Sequence, residues 1–151
     1  MNEINDEIPT VYYRSKDTDI AVDCNKMTNS HAVYCLMKQV YGEDVINHHE
    51  EFWVILLNIK NKVLKISKIA QGGISENYVD IRLIFQEALK VNAVAVILTH
   101  NHPSGEPYPS KQDIRLTQRV VSAGDFLNIK VLDHLIICDL RYYSFANDRK
   151  L

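Results

Sequence analysis

A short apolar run that ends in two histidines constrains the fold of this chain more than any other feature. Residues 94–98 are all apolar, which is typical of a buried strand, and they lead directly into Thr99-His100-Asn101-His102. Side chains two positions apart on an extended chain point to the same face, so His100 and His102 are predicted to lie side by side. Two imidazoles at the end of a strand suit a first-row metal, most often zinc.

A third ligand is predicted after a stiff loop. Residues 103–109 are rich in Pro and Gly, and residues 110–113 (Ser-Lys-Gln-Asp) then begin a predicted helix. The two histidines together with Asp113 would leave one zinc position open for water, which is the arrangement of catalytic sites. Ser110 and Asp113 also have the spacing of an N-terminal capping box, and that role alone would account for both residues. One residue can, however, cap a helix and coordinate a metal.

The whole pattern resembles a known family. Two histidines one residue apart, then seven residues, a serine, two residues and an aspartate form the pattern of the JAMM (MPN+) metalloproteases, and this chain has that spacing. The segments HNHPSG at 100–105 and LDHLII at 132–137 resemble the RadC-like branch most closely. The resemblance implies a JAB/MPN (cytidine-deaminase-like) fold. It also implies that zinc (Zn²⁺) is bound by His100, His102 and Asp113, and that Ser110 supports the transition state.

The same resemblance implies a glutamate general base at the start of an upstream strand. RadC-like sequences usually show Glu, one residue and then an aromatic, which selects Glu50 ahead of Phe52. Glu51 stays open, because a slip of one residue in strand register reverses the face. A carboxylate suits the role, since it can take a proton from an attacking water and deliver it to the leaving amine. The alternative is that Glu50 and Glu51 are only charged residues at the start of a strand and have no catalytic role.

The remaining segments predict alternating strands and helices. Before the histidines we predict an edge strand at 8–13 and a helix from Ser30 to about Tyr41, which Gly42 ends. A central strand at 52–58 is predicted to form a hairpin with 62–69. Asp80 then caps a predicted helix whose buried stripe is Ile81, Ile84, Phe85, Ala88 and Leu89. After them we predict a helix that Gly124 ends, a strand region at 129–137 broken around Asp133, and a last strand at 142–145.

This order, β-α-ββ-α-β-α-ββ, predicts an α/β fold, a sandwich of one mixed sheet with flanking helices. We expect a single domain over residues 1–151, in which 1–48 supply an N-terminal strand and helix and 49–146 form the metal-site core. The glycine-containing loop at 71–75 is either a plain turn or a border of the substrate site.

Three further residues near the pattern have two interpretations each. His134 is either a side chain that orients a metal ligand or a hydrogen-bonded, partly buried histidine, and we favour the second. Arg115 and Arg119 form an i,i+4 pair on the predicted helix, and we expect them to be solvated rather than bound to nucleic acid.

Composition and charge exclude some classes of function. The net charge of −2 gives no global basic footprint for nucleic acid, and no apolar run is long enough to span a membrane. Cys24, Cys35 and Cys138 form no Cys-x-x-Cys pair and are expected to be reduced thiols, so a cytoplasmic protein is the default.

The sequence therefore predicts a JAMM-type zinc metallopeptidase or isopeptidase that hydrolyses an amide bond in a peptide or protein substrate. Two alternatives stay open: a RadC-type accessory protein of DNA repair or recombination, and a non-catalytic JAB scaffold. The charge does not support direct nucleic-acid binding. Scaffold relatives normally lack the histidines or the aspartate, all of which are present here. A homodimer through exposed strand edges is also allowed.

Overall fold

The computed structural model describes residues 10–15, 18–23, 26–72 and 79–151, and for the first two ranges it describes the backbone alone. Its elements in chain order are β1 Thr10–Ser15, β2 Thr18–Asp23, α1 Ser30–Ile46, β3 Glu51–Leu57, β4 Val63–Gln71, α2 Ile81–Lys90, β5 Ala95–Asn101, α3 Lys111–Leu127, β6 Lys130–Ile137 and β7 Tyr142–Ser144. Most of the predicted loop at 71–75, namely 73–75, and also Cys24 lie outside the described residues.

The centre of the molecule is a mixed five-stranded sheet in the order β4-β3-β5-β6-β7. Only the β5–β6 pair is parallel, and each other neighbouring pair in this sheet is antiparallel. The predicted α/β class with a mixed sheet is therefore confirmed. The first predicted strand is present as β1, but it pairs with a strand that we did not predict, β2, in a separate two-stranded sheet.

The two faces of the sheet carry two hydrophobic clusters, because side chains alternate along each strand. On one face, Trp53, Ile55 and Ile97 pack with buried residues of α1. On the other face, Val54 and Leu98 pack with buried residues of α2 and α3. All residues of β3 and β5 are buried, which confirms the prediction of a central strand covered on both faces.

Two helices are longer than the sequence predicted, and both differences concern a glycine. Gly42 interrupts α1 with a φ of 66°, which a glycine adopts readily, but helical geometry resumes beyond it as far as Ile46. Gly124 does not end α3, which continues to Leu127 and closes on Asn128 in the left-handed conformation. A Cβ at Gly124 would overlap the carbonyl oxygen of Ile129, so this glycine permits a close approach rather than a stop.

Two smaller predictions also need correction. Strand β6 is continuous through Asp133, and the predicted break is a register shift in which Val96 pairs with Val131 and Ile97 with Asp133. Such a bulge inserts one residue without ending the strand. In α2, Leu89 is 57% exposed and does not belong to the buried stripe, whereas Asp80 caps the helix as predicted.

Candidate metal centre

Four predicted site residues meet where the end of β5 faces the start of β3. His100 lies in β5 and His102 directly follows it, while Asp113 lies in the first turn of α3. Strands β3 and β5 are antiparallel with Phe52 opposite His100, so Glu50, which immediately precedes β3, is carried to the same corner. The strand pairing and the return of the loop at 103–109 therefore assemble residues that are far apart in sequence.

The distances between these side chains are those of a compact cluster. His100 Nε2 lies 3.0 Å from His102 Nε2 and 3.3 Å from Asp113 Oδ1, and His102 Nε2 lies 3.5 Å from Asp113 Oδ2. His100 Nε2 is 4.0 Å from Glu50 Oε1. Glu50, His100 and His102 each offer one ligand atom, and these three atoms all lie within 4.8 Å of one another. Two imidazoles and one or two carboxylates form a donor set that fits a first-row metal.

The two neighbouring glutamates lie on opposite faces of the sheet. Glu50 is two residues before Phe52, whose ring stacks on that of His100 with centroids 5.8 Å apart, and Glu50 is on this same face. Glu51 is only 4% exposed and accepts hydrogen bonds from Trp53 Nε1 and Lys68 Nζ, each at 3.0 Å. The structure therefore brings Glu50 to the cluster and places Glu51 in a buried ion pair. The assignment of Glu50 as general base stays a prediction.

Asn101, between the two histidines, explains how this corner is held in place. Its side chain points to the opposite face and is completely buried. The Asn101 amide donates to the carbonyl oxygens of Ile46 at 3.2 Å and His49 at 2.8 Å, and its Oδ1 accepts from Glu51 N at 2.8 Å. This one side chain thus ties the end of α1 and the entry to β3, and so the backbone that carries Glu50, to the end of β5.

The structure shows the predicted capping box of Ser110 and Asp113, and the role of Asp113 as a metal ligand stays a prediction. Ser110 N donates to Asp113 Oδ2 at 2.7 Å and Asp113 N donates to Ser110 Oγ at 3.1 Å, which is the predicted capping box. The carboxylate of Asp113 still faces both histidines. The cap fixes its orientation, and the Ser110 hydroxyl, which accepts in this bond, keeps its own proton for another acceptor.

A chain of hydrogen bonds runs behind His100. His100 Nδ1 lies 2.8 Å from His134 Nε2, and His134 Nδ1 lies 2.6 Å from Thr117 Oγ1, which donates to the carbonyl oxygen of Asp113 at 2.7 Å. The Thr117 hydroxyl donates its single proton to that carbonyl, so Thr117 Oγ1 must accept the hydrogen bond from His134 Nδ1. Since Nδ1 of His134 carries the proton, His134 Nε2 must accept the hydrogen bond from His100 Nδ1. His134 is therefore both completely buried and the partner that orients His100. Sequence reasoning favoured only the burial and did not find Thr117.

The charges in the cluster favour an ionised carboxylate beside histidines. Burial raises the pKa of Asp113, but hydrogen bonds with His100 and His102 outweigh it and hold that pKa far below its usual value. Burial lowers the pKa of His102, yet its hydrogen bonds with Asp113 and with the Glu106 carbonyl raise it overall. Burial, and then the charge of His100, lower the pKa of His134 well below its usual value. These shifts favour an ionised Asp113 carboxylate next to His100 and His102.

The cluster opens into a cleft of about 610 Å³. It is lined by Glu50, Phe52, Val79, His102, Ser110, Gln112, Asp113, Arg115, Leu116 and Arg119. The two arginines were predicted to be solvated. They are exposed, but they also form part of the wall of this cleft. Their position in the two helical turns after Asp113 was the signal in the sequence that could have suggested it.

The sequence of this chain is similar to a known domain family and to several known proteins. A model of the "RadC-like JAB domain" matches residues 27–151. A "UPF0758 protein" of Flavobacterium johnsoniae is 42% identical over 135 residues, which cover 89% of this chain and 57% of the relative. Proteins of the same name from Desulforudis audaxviator and Porphyromonas gingivalis are 50% identical over 95 residues and 49% identical over 100 residues. These matches cover 63% and 66% of this chain and 41% and 44% of the relatives. The chain thus spans about half the length of these relatives.

The helices of the described part of the chain were also compared with the requirements of a bilayer. None of them is both long and apolar enough to cross a membrane.

Proposed function

Because the chain belongs to the RadC-like JAB domain family, we propose that it is a zinc-dependent hydrolase of the JAMM type that cleaves an amide bond in a peptide or protein. The mixed five-stranded sheet with its three helices is consistent with the JAB fold. The observation that carries the proposal is the convergence of His100, His102 and Asp113, with the Glu50 carboxylate beside them and Ser110 at the same helix start.

The separations of the proposed donor atoms are close to those around a tetrahedral zinc, which supports the proposal. Ligand atoms held at 2.0–2.2 Å from a tetrahedral zinc lie roughly 3.3–3.6 Å apart. The two Nε2 atoms of His100 and His102 are 3.0 Å apart, and the Asp113 carboxylate lies 3.3 Å from the first through Oδ1 and 3.5 Å from the second through Oδ2. These three residues would hold the metal, with Nε2 of His100 as its donor, because Nδ1 of His100 is committed to His134. Zinc bound there would lower the pKa of a coordinated water to about 7 and polarise the carbonyl of the substrate.

Glu50 is the proposed proton carrier of the reaction. Its Oε1 is farther from His100 Nε2, at 4.0 Å, than Asp113 Oδ1 is, at 3.3 Å, which supports Asp113 as the third ligand and Glu50 as the base, although a Glu50 oxygen also lies within 4.8 Å of both histidine nitrogens. Its side chain is 34% exposed and lines the cleft, where it can reach a bound water. In the proposed reaction Glu50 takes a proton from the attacking water and delivers it to the leaving amine.

Ser110 is proposed to stabilise the oxyanion. Its Oγ is fixed by the hydrogen bond from Asp113 N, and its hydroxyl proton is available to the cleft that it lines. A donor already oriented by the helix cap needs little reorganisation when negative charge develops on the carbonyl oxygen.

The experiment measures zinc content and turnover in matched variants. Elemental analysis should find about one zinc per chain, as in other catalytic sites with three protein ligands. Glu50→Gln should keep the zinc and lose about 10²- to 10⁴-fold in hydrolysis of the peptide or isopeptide substrate that a screen identifies. His102→Ala should lose the metal as well. Glu43→Gln, at an exposed position of α1, removes the same charge and should change neither measurement. Unchanged turnover in Glu50→Gln would remove it as the base, and absence of metal after zinc is supplied would refute the site.

A further inference from the structure

The cleft beside the metal centre continues along α3 past two arginines. Arg115 and Arg119 line the cleft of about 610 Å³ that contains Glu50 and Asp113. The same two arginines line a second, more open depression of about 630 Å³ that Arg82 of α2 also borders. Arg115 and Arg119 therefore lie where the cleft and the depression meet, directly beside the proposed reaction site.

Arginines are the charged residues that line the second depression, although the chain as a whole has a net charge of −2. Arg82 is held by Asp80, with Nη2 2.7 Å from Oδ2. Within the ranges that the structure describes, no carboxylate forms an ion pair with Arg115 or Arg119. An exposed arginine pair on a helix is ordinarily only solvated. Here both arginines line the same cleft as Glu50.

We propose that Arg115 and Arg119 form an anion-binding subsite that accepts acidic side chains of a polypeptide next to the cleaved bond. The inference rests on the proposed function, since it assigns a substrate class to that same site. Planar guanidinium groups suit carboxylates, because each can donate two parallel hydrogen bonds to one carboxylate. The preferred substrate thus carries Asp or Glu on the side of the bond that lies along α3.

The cleft favours an acidic polypeptide over a nucleic acid for two reasons. Phe52 is the one Phe, Tyr or Trp side chain in its described lining, and it is only 2% exposed and stacked on His100, so it offers no open face to a base. Two arginines also neutralise few phosphates, whereas nucleic-acid grooves follow the backbone with an extended basic track.

The test is a binding measurement that does not require hydrolysis. Zinc-loaded Glu50→Gln protein is titrated into a fluorescent capped Gly/Ala peptide that contains a run of glutamates, and into its twin in which glutamines replace them. We expect the glutamate peptide to bind about tenfold more tightly at low salt, the product of two ion pairs worth a few-fold each. Screening by added salt should reduce this preference.

Matched variants locate the effect. Arg115→Gln combined with Arg119→Gln should abolish the preference for the glutamate peptide. Lys60→Gln combined with Lys130→Gln lowers the net charge equally at the opposite end of the sheet, where both lysines are exposed, and should retain it. Equal affinity for the two peptides, or a preference that survives loss of both arginines, would overturn the proposal. Tighter binding of a single-stranded oligonucleotide that depends on the same arginines would overturn it in favour of nucleic acid.

The outcome is separable from that of the proposed function. A protein that binds acidic peptides through Arg115 and Arg119 but cleaves none, with Glu50 intact, would retain the subsite and lose the hydrolase proposal. A protein that cleaves neutral peptides as fast as acidic ones would retain the hydrolase and lose the subsite.

Discussion

The position of His100 depends on side chains that do not touch the proposed metal. The chain from His100 through His134 and Thr117 to the carbonyl of Asp113 is buried and has one direction, as its donors and acceptors require. It joins one proposed ligand, on β5, to the backbone of another, on α3. Partners of this kind keep the imidazole ring oriented, and their loss typically costs 10- to 100-fold in metal affinity.

We therefore predict that Thr117→Val, which has nearly the same shape, weakens zinc binding by about 10- to 100-fold. The valine would leave His134 Nδ1 without an acceptor and the Asp113 carbonyl without this donor. Competition with a chromophoric zinc chelator measures the affinity. Thr117→Ser keeps the hydroxyl and should restore most of it. Equal zinc affinity in the valine variant and the wild type would show that these hydrogen bonds do not orient His100.

At this scale, alternation along a strand allowed much of the site to be predicted. It placed His100 and His102 together, and it left Glu50 and Glu51 as alternatives on opposite faces. The structure separates the two glutamates through the pairing of Phe52 with His100, which no local pattern encodes. Thr117 and His134 could not be joined in advance, because their contact depends on how α3 packs on β6.

Helix α3 illustrates how one element serves both the core and the site. Its first turn carries Asp113, and near its other end Gly124 lies against the backbone of Ile129, immediately before β6. The sequence pattern treated Gly124 as a stop, because glycine commonly follows a helix. In the structure the stop is Asn128, and only the tertiary contact explains the glycine. The alternating order of strands and helices needed no such contact and was predicted, except for β2.

We predict that Gly124→Ala destabilises the protein, contrary to helix propensity. Alanine in a helix interior is favoured by about 1 kcal/mol over glycine. Its Cβ would overlap the Ile129 carbonyl oxygen, and relief of such overpacking costs about 1–3 kcal/mol. The net loss expected in urea unfolding is about 1 kcal/mol. Ser122→Ala, on the same helix but without such a contact, should stay within about 0.5 kcal/mol of the wild type. A more stable Gly124→Ala protein would show that α3 does not press on β6.

In the whole molecule, the proposed metal would connect several secondary-structure elements and would not belong to the hydrophobic core. Its ligands come from β5, from the turn after β5 and from α3, with Glu50 of the β3 entry beside them. The two hydrophobic clusters lie on either side of the sheet and contain none of the three proposed ligands. The fold should consequently survive without metal, whereas bound metal should add stability to the folded state alone.

We predict that chelation lowers the thermal midpoint without abolishing cooperative unfolding. A ligand that binds only the folded state at 100 times its dissociation constant adds about 2.7 kcal/mol. In a domain of this size each kcal/mol corresponds to roughly 2–4 °C, so removal of zinc should lower the midpoint by about 5–10 °C. Calorimetry before and after dialysis against a chelator measures the change, and the His102→Ala protein should not respond to the chelator. Complete unfolding of the metal-free chain would mean that the metal is structural. The role of its ligands would then be to stabilise the fold and not to position a reacting water.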